Sequence, residues 1–325
     1  MEANTILRIR PELTQYLRLY DDCFGRCTAR RHLNTYVEGQ LGPLERKSIE
    51  PMADAAGVPP WDLQQFLSLY RWDESAMRDR CQQRVAARHG HPQSVGILDE
   101  TSFPKKGRKT ACVQRQHCGA LGKKDNCVVS VHLGYATPDF HTLLDGELYL
   151  PEETWHEDRE RCREAGIPED VVYRPKWRIG LEQIKRARRN GIFLQWLTFD
   201  EGYGSKGPFL RELDTLGQKY VGEVPSNLHV WTRRPELLYR EHASRRGRPR
   251  KFPRLKVKNN PTAEVRHIQQ HSPLFRREDW QTYRVKDGHK GPMVWKAKRL
   301  RVWLPDENGL GIKLKDMIGC KWENS

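Results

Sequence analysis

Two acidic segments stand 101 residues apart, Asp99-Glu-Thr-Ser-Phe-Pro-Lys-Lys-Gly107 and Asp200-Glu-Gly-Tyr-Gly204. Each follows a short apolar run, Ser94–Leu98 before the first and Phe193–Phe199 before the second. Strand ends in α/β sheets gather ligands and metals. Carboxylates brought together there repel unless a hard cation lies between them. Mg²⁺, or Mn²⁺ in its place, takes few protein carboxylates and keeps positions open for phosphate oxygens. Two such ions activate a water or a 3′-hydroxyl and stabilise the leaving oxygen of an in-line displacement. Lys105 and Lys106, just beyond the first acid, have the charge to hold phosphates. Gly202 and Gly204 allow a tight turn and close backbone approach. A plainer account fits the same residues: two unrelated surface acids, each beside a turn.

The choice depends on the elements that position the acids. Residues 1–90 read as helical: Leu33, Tyr36, Val37 and Leu41 repeat at helical spacing, as do Trp61, Phe66, Leu67 and Tyr70 after Pro59-Pro60. This region is either a DNA-docking bundle or a helical cap with a solvated basic face. The texture changes at His91. Ser94–Leu98, Val128–Tyr135 and Leu143–Leu150 read as strands, and Pro151–Pro168 as a charged connection. Trp177–Asn190 is an amphipathic helix, with Ile179, Ile184 and Ala187 inward, stopped by Asn190-Gly191. Strand Phe193–Phe199, helix Phe209–Leu216 and strand Lys219–Val224 follow. The order β-β-β-α-β-α-β is that of an RNase H-like α/β fold. The expected organisation is a helical region 1–90, a core 91–225, a basic β-rich insertion 226–308 and a divergent tail 309–325.

Composition narrows the function class. The chain has 325 residues, 57 Lys and Arg against 42 Asp and Glu, and a net charge of +15. Its mean hydropathy is −0.82. Ten Trp, eleven Tyr and nine Phe argue against wholesale disorder. No apolar run approaches about 18 residues, which excludes a membrane-spanning helix, and the N-terminus lacks a signal-peptide core. A cytoplasmic, nucleoid-associated protein is expected. The positive charge is clustered: seven Lys and Arg with no acid in Pro104–Lys124, and nine with one acid in Arg240–Lys258. Such clusters meet polyanions. Arg245–Lys251 contains Arg-Gly-Arg-Pro, which either enters the minor groove of A·T-rich DNA or touches phosphates from a basic loop. The eight cysteines form no Cys-x-x-Cys pair and are expected to be reduced and mostly packed.

The residues also resemble a family. Asp99–Gly107, Arg115-Gln116, Gly119–Lys123 and Asn126 look like the first half of the DDE domain of insertion-sequence transposases. Tyr149–Glu152, Ala165–Val171 and Lys176-Trp177 continue the likeness. Phe199–Gly204 resembles the second acid motif, where alanine is the commoner residue at position 201. Lys290-Gly-Pro292 and Arg301-Val302 resemble the β-insertion. The match runs in unbroken order from about residue 20 to 308.

The resemblance implies an RNase H-like transposase that cuts and joins double-stranded DNA at element ends and target with Mg²⁺ or Mn²⁺. It puts Asp99 and Asp200 on the first two catalytic, metal-holding positions. Lys105, Lys106, Arg115 and Lys123 are expected to contact DNA, as are Arg246, Arg248, Arg250 and Lys251. The family's third acid is a Glu in an Arg-Trp-x-Ile-Glu-like motif, and no such motif occurs here. The likeness stops after Leu310, so a C-terminally truncated chain is expected. Glu201 and Glu223 are the nearest substitutes for the third acid. A rival reading is a non-catalytic DNA-binding chain that inhibits the full-length transposase. The expected assembly is a homo-oligomer or a mixed oligomer with that transposase.

Overall fold

The protein is described by a computed structural model over residues 3–238, 254–257, 260–288, 291–305 and 311–322. The chain divides into two compact units, Met1–Gln195 and Trp196–Ser325.

The first unit opens with five helices: α1 (Ala3–Arg18), α2 (Cys27–Leu41), α3 (Ile49–Ala56), α4 (Pro60–Ser68) and α5 (Glu74–His89). Leu17, Tyr20, Phe24, Leu33 and Phe66 form one buried cluster, and Met52, Ala53 and Leu63 a smaller one. Between α3 and α4, Gly57 adopts φ 65°, a left-handed conformation that costs glycine little. Asp73 caps α5 by accepting a hydrogen bond from the Ala76 amide at 2.8 Å.

Four strands follow: β1 (Val95–Pro104), β2 (Gln114–Cys118), β3 (Lys123–Ala136) and β4 (His141–Leu148). β3 is central, antiparallel to β1 along one edge and to β2 and then β4 along the other. After β4 come a turn over Glu152–His156, α6 (Arg159–Glu164) and α7 (Lys176–Arg189).

α7 packs on the sheet face that carries Leu98. Its Ile179, Ile184 and Ala187 are buried as their spacing predicts. Gly180 lies so close to the strand that a Cβ there would meet the Leu98 side chain at 2.7 Å. Gln183 Nε2 donates to the Val131 carbonyl at 2.9 Å. α5 grips the same sheet through Gln82 Nε2, which donates to the Leu144 carbonyl at 3.0 Å. Buried Asp145 receives Arg78 at 2.9 Å, with Arg186 at 3.9 Å. A buried carboxylate needs such partners.

The second unit begins with β5 (Trp196–Phe199), α8 (Glu201–Gly204), α9 (Gly207–Thr215) and β6 (Tyr220–Gly222). β5 and β6 are parallel, with Phe199 in register with Gly222. Phe199, Tyr203, Phe209 and Tyr220 stack around one another with centroids 5.2–5.8 Å apart. Beyond them lie β7 (His229–Val230), β8 (Leu237–Leu238), β9 (Arg254–Leu255), β10 (Ala263–Glu264), α10 (Val265–His271), α11 (Pro273–Arg277), β11 (Gln281–Gly288), β12 (Gly291–Pro305) and β13 (Gly311–Trp322). β11, β12 and β13 form an antiparallel meander. Val230, Val265, Ile268, Phe275, Leu300 and Val302 are its buried core.

The strand set is mixed and helix-flanked, as the RNase H-like α/β expectation requires. Four local readings change. β1 continues five residues beyond Asp99, because Glu100–Pro104 pair with Val131–Cys127. β2 was not foreseen. The expected strand Phe193–Phe199 starts only at Trp196. The basic insertion, expected to be β-rich, also contains α10 and α11.

Candidate functional site

Asp99 is the fifth residue of β1, exposed, and opposite His132 in register. Its Oδ1 accepts the Glu100 amide at 2.7 Å. Strand alternation places Ile97, Thr101 and Phe103 on the same face, with Leu143 and Leu148 joining through β4. These apolar neighbours are exposed, Leu143 by 68%. Glu100 turns to the opposite face and meets Lys176 of α7 at 2.5 Å. The Lys176 ammonium lies 5.2 Å from the Tyr149 ring centroid. Burial, assisted by Tyr173 and nearby carboxylates, pushes the Tyr149 hydroxyl up to about 12. Arg174 bridges Glu147 and Glu182 beside this cluster.

His132 was not singled out in the sequence. It shares its face with Asp99, bonds Ser130 Oγ at 2.6 Å, and fills the space that Gly146 leaves. A Cβ on Gly146 would lie 2.7 Å from His132 Nδ1. A lone His and a lone Gly carry no sequence signal for this fit; only the β3–β4 register reveals it.

Asp200 immediately follows β5, as expected, and caps α8. Its Oδ1 accepts the amides of Gly202 at 3.0 Å and Tyr203 at 3.4 Å. Both bonds fall on Oδ1, so Oδ2 is left for a further partner. Gly204 is indispensable to the turn, since a Cβ there would lie 1.8 Å from the Glu223 carbonyl oxygen. The Glu223 amide in turn donates to the Phe199 carbonyl at 3.1 Å. Asp200 and Glu223 therefore leave the ends of adjacent parallel strands, each one residue past the Phe199–Gly222 pair. Both are exposed, as is Glu201.

These donors are hard carboxylate oxygens, the chemistry that suits Mg²⁺ or Mn²⁺. Mg²⁺ in particular is content with one or two carboxylates and several waters. Among the described residues, no three of His, Cys, Asp and Glu gather into a metal-holding group.

The expected DNA contacts separate by environment. Lys105 and Lys106 lie exposed in the loop after β1. Arg115 is exposed on β2 opposite Asn126. Lys123 faces the other way, in register with buried Cys118, and pairs with Asp125 at 3.4 Å. The Asn126 amide and then Lys123 hold the Asp125 carboxyl below its ordinary value. Lys124 and His117, opposite one another and exposed, share the face of Arg115. Arg246, Arg248, Arg250 and Lys251 lie outside the described residues, as do Glu307 and Glu323. Cys23, Cys112, Cys118, Cys127 and Cys162 are buried free thiols, while Cys27 and Cys81 are exposed.

Residues 19–292 match the family model described as DDE superfamily endonuclease. Over 231 residues the chain is 32% identical to a protein of Microchaete diplosiphon described as a probable transposase for insertion sequence element IS701. The alignment covers 70% of this chain and 56% of that relative, so the chain spans little more than half of the relative's length.

Proposed function

Because the chain belongs to the DDE superfamily of endonucleases, we propose that it is a transposase chain. On this reading it cleaves DNA strands at insertion-sequence ends and transfers them to a target, with Asp99 and Asp200 holding Mg²⁺ or Mn²⁺. The observation that carries the reading is Asp200. Inside the matched region, a strand-end carboxylate is fixed by two backbone amides through one oxygen and keeps the other uncommitted. Asp99 supplies the second carboxylate from a strand that α7 and β3 hold rigidly.

Held by Asp99 and Asp200, such an ion would supply Lewis acidity to a water or 3′-hydroxyl and offset charge at the phosphate. The protein's part is positional. Asp99 and Asp200 set where the reacting phosphate sits, Lys105, Lys106 and Arg115 hold the flanking backbone, and Lys123 adds a contact from the opposite sheet face. Arg246, Arg248, Arg250 and Lys251 add a second DNA contact. The helices α1–α5 serve as a DNA-docking region. No described helix is long and apolar enough to cross a membrane, and the site of action on this reading is the bacterial nucleoid. A homo-oligomer, or a mixed oligomer with a longer transposase, brings two DNA ends together.

One observation favours a second reading. The Arg-Trp-x-Ile-Glu-like motif that carries the family's third acid does not occur in this sequence, and on this reading the chain binds DNA ends without cutting them. It then inhibits a complete transposase by occupying its sites.

The test is strand cleavage of a duplex carrying the element's own ends, with Mg²⁺ and with Mn²⁺, beside Asp99→Ala and Asp200→Asn. Cleavage by the parent chain that both substitutions abolish supports the enzyme. Metal-independent binding with no cleavage by any of the three supports the inhibitor. Cleavage that survives both substitutions sinks the assignment of these acids.

A further inference from the structure

The loop Pro104–Thr110 leaves β1 with four cationic side chains, Lys105, Lys106, Arg108 and Lys109, all exposed. None makes an ion pair with a described residue. A loop that merely solvates its charges needs no fixed backbone, yet this one is pinned along its length. Lys105 is tied to β3 by its amide, which donates to the Asn126 carbonyl at 2.9 Å. The Asn126 side-chain Nδ2 donates back to the carbonyls of Lys105 at 2.7 Å and Gly107 at 2.8 Å. Arg161 Nη2 holds the Arg108 carbonyl at 2.9 Å. Arg161 is itself fixed, through Nη1 to the Thr154 carbonyl at 2.7 Å and by stacking 3.9 Å from the Trp155 ring centroid. Buried Trp155 donates to the Val113 carbonyl at 2.8 Å. Just past the loop's far end, buried Cys112 is held at φ 65°, a conformation that strains a non-glycine residue and is retained where packing fixes it.

We infer that this loop is a preformed surface for the sugar–phosphate backbone of duplex DNA, and that Asn126 and Arg161 are its positioning residues. Arg108 and Lys109 join Lys105 and Lys106 as phosphate contacts. Fixing the backbone before DNA arrives removes part of the ordering cost of binding, so four long side chains act from a set origin. Phosphate contacts of this kind set register and orientation without reading sequence. The placement also gives a distance. Lys105 lies six residues beyond Asp99 along β1, about 20 Å at roughly 3.3 Å per residue. At about 3.4 Å per base pair, that spans about six base pairs of duplex. The loop thus grips the flank about six base pairs from the phosphate at Asp99. The distance rests on the reading of Asp99 as the reacting centre; the phosphate surface does not.

The probe is a fluorescent 30-base-pair duplex of arbitrary sequence, titrated with the full chain between 50 and 300 mM KCl. Changing Lys105, Lys106, Arg108 and Lys109 to Gln is expected to reduce the log K against log salt slope by about 3 to 4, at roughly 0.9 per phosphate. An unchanged slope overturns the surface. Asn126→Ala keeps every charge and alters only placement, and is expected to weaken binding about three- to tenfold at fixed salt. Parental affinity in a folded Asn126→Ala chain overturns the positioning role. If that variant does not fold, Arg161→Lys, which keeps the charge and loses the paired guanidinium contacts to the Arg108 and Thr154 carbonyls, answers the same question at the other anchor. For the distance, Asp99→Cys in a Cys27→Ser, Cys81→Ser, Cys320→Ser background is tethered through a disulfide to one thiol-modified phosphate. Hydroxyl-radical protection is expected about six base pairs from the tether and is lost in the four-fold Gln variant. Protection only at the tether overturns the distance and leaves the salt result standing.

Discussion

At Asp200 a single carboxylate caps α8 through Oδ1 and, on the proposed function, holds a metal through Oδ2. The two tasks come apart by substitution. Asn keeps the capping oxygen and loses the charge, so Asp200→Asn should leave stability within a few tenths of a kcal/mol. Asp200→Ala loses the cap as well and should cost about 1 kcal/mol. Both should abolish Mn²⁺ binding, read by the paramagnetic signal of the free ion, while only Ala shifts the urea midpoint. Glu223, beside Asp200 at the strand ends, is the substitute acid that the structure brings closest in register. If it completes the site, Glu223→Gln should weaken Mn²⁺ several-fold; parental affinity removes it from consideration. Gly204→Ala forces a carbon against the Glu223 carbonyl and should cost about 3 kcal/mol, seen in the same unfolding curves. The buried thiols set a pH limit. Burial, chiefly, pushes Cys112 and Cys127 up to about 11 from an ordinary 9.0. The folded chain therefore keeps protons that the unfolded chain sheds. The stability they contribute is fully present below about pH 9 and is lost as pH rises toward 11. The urea midpoint should be lower at pH 10.5 than at pH 8, and Cys127→Ala should shrink the difference.

At the scale of elements, what could be read in the sequence followed the apolar pattern. α7 was legible because Ile179, Ile184 and Ala187 recur on one face and Asn190-Gly191 ends it. The centres of β3 and β4 were legible as apolar runs. β2, with the sequence Gln-Arg-Gln-His-Cys, buries only Cys118; its pairing with β3 is made by backbone bonds that no side-chain pattern announces. The same holds for β1 beyond Asp99, where Glu-Thr-Ser-Phe-Pro shows no run but five partners in β3 extend the strand. The place of Asp200 at the end of its apolar run was legible, that of Asp99 only in part, since β1 runs on past it, and the hydrogen bonds of Asn126 depend on a strand register that sequence alone does not supply. α5 tests the view that helices fix the sheet from outside. Its cap at Asp73 should contribute about 1 kcal/mol, lost in Asp73→Ala and largely kept in Asp73→Asn. Arg78→Ala leaves buried Asp145 with the Gly146 amide, Gln82 and Arg186 as remaining partners, and should cost about 2–3 kcal/mol, below the 3–5 of a fully orphaned charge. Thermal melts of the three variants rank the effects.

For the whole molecule, a net charge of +15 makes every DNA affinity a function of salt. If the run at Arg246, Arg248, Arg250 and Lys251 contacts DNA as proposed, changing all four to Ala should flatten the log–log slope independently of the Pro104–Thr110 loop. The two reductions should then add when the variants are combined. An unchanged slope would place the second DNA surface elsewhere.

The outward row around Asp99 ties two properties together. Ile97, Phe103, Leu143 and Leu148 lie exposed on the face from which that carboxylate emerges. Apolar side chains grouped in the open draw protein copies together, and the same side chains, once covered, exclude water from whatever reacts beside Asp99. On the proposed function, handling in solution and dryness at the reacting centre are thus two readings of one surface. Leu143→Lys should reduce concentration-dependent light scattering, and it should also wet the neighbourhood of Asp99. On the proposed function, a variant chosen because it stays clear in the tube is then, for that very reason, a poorer place to exclude water from a phosphoryl transfer.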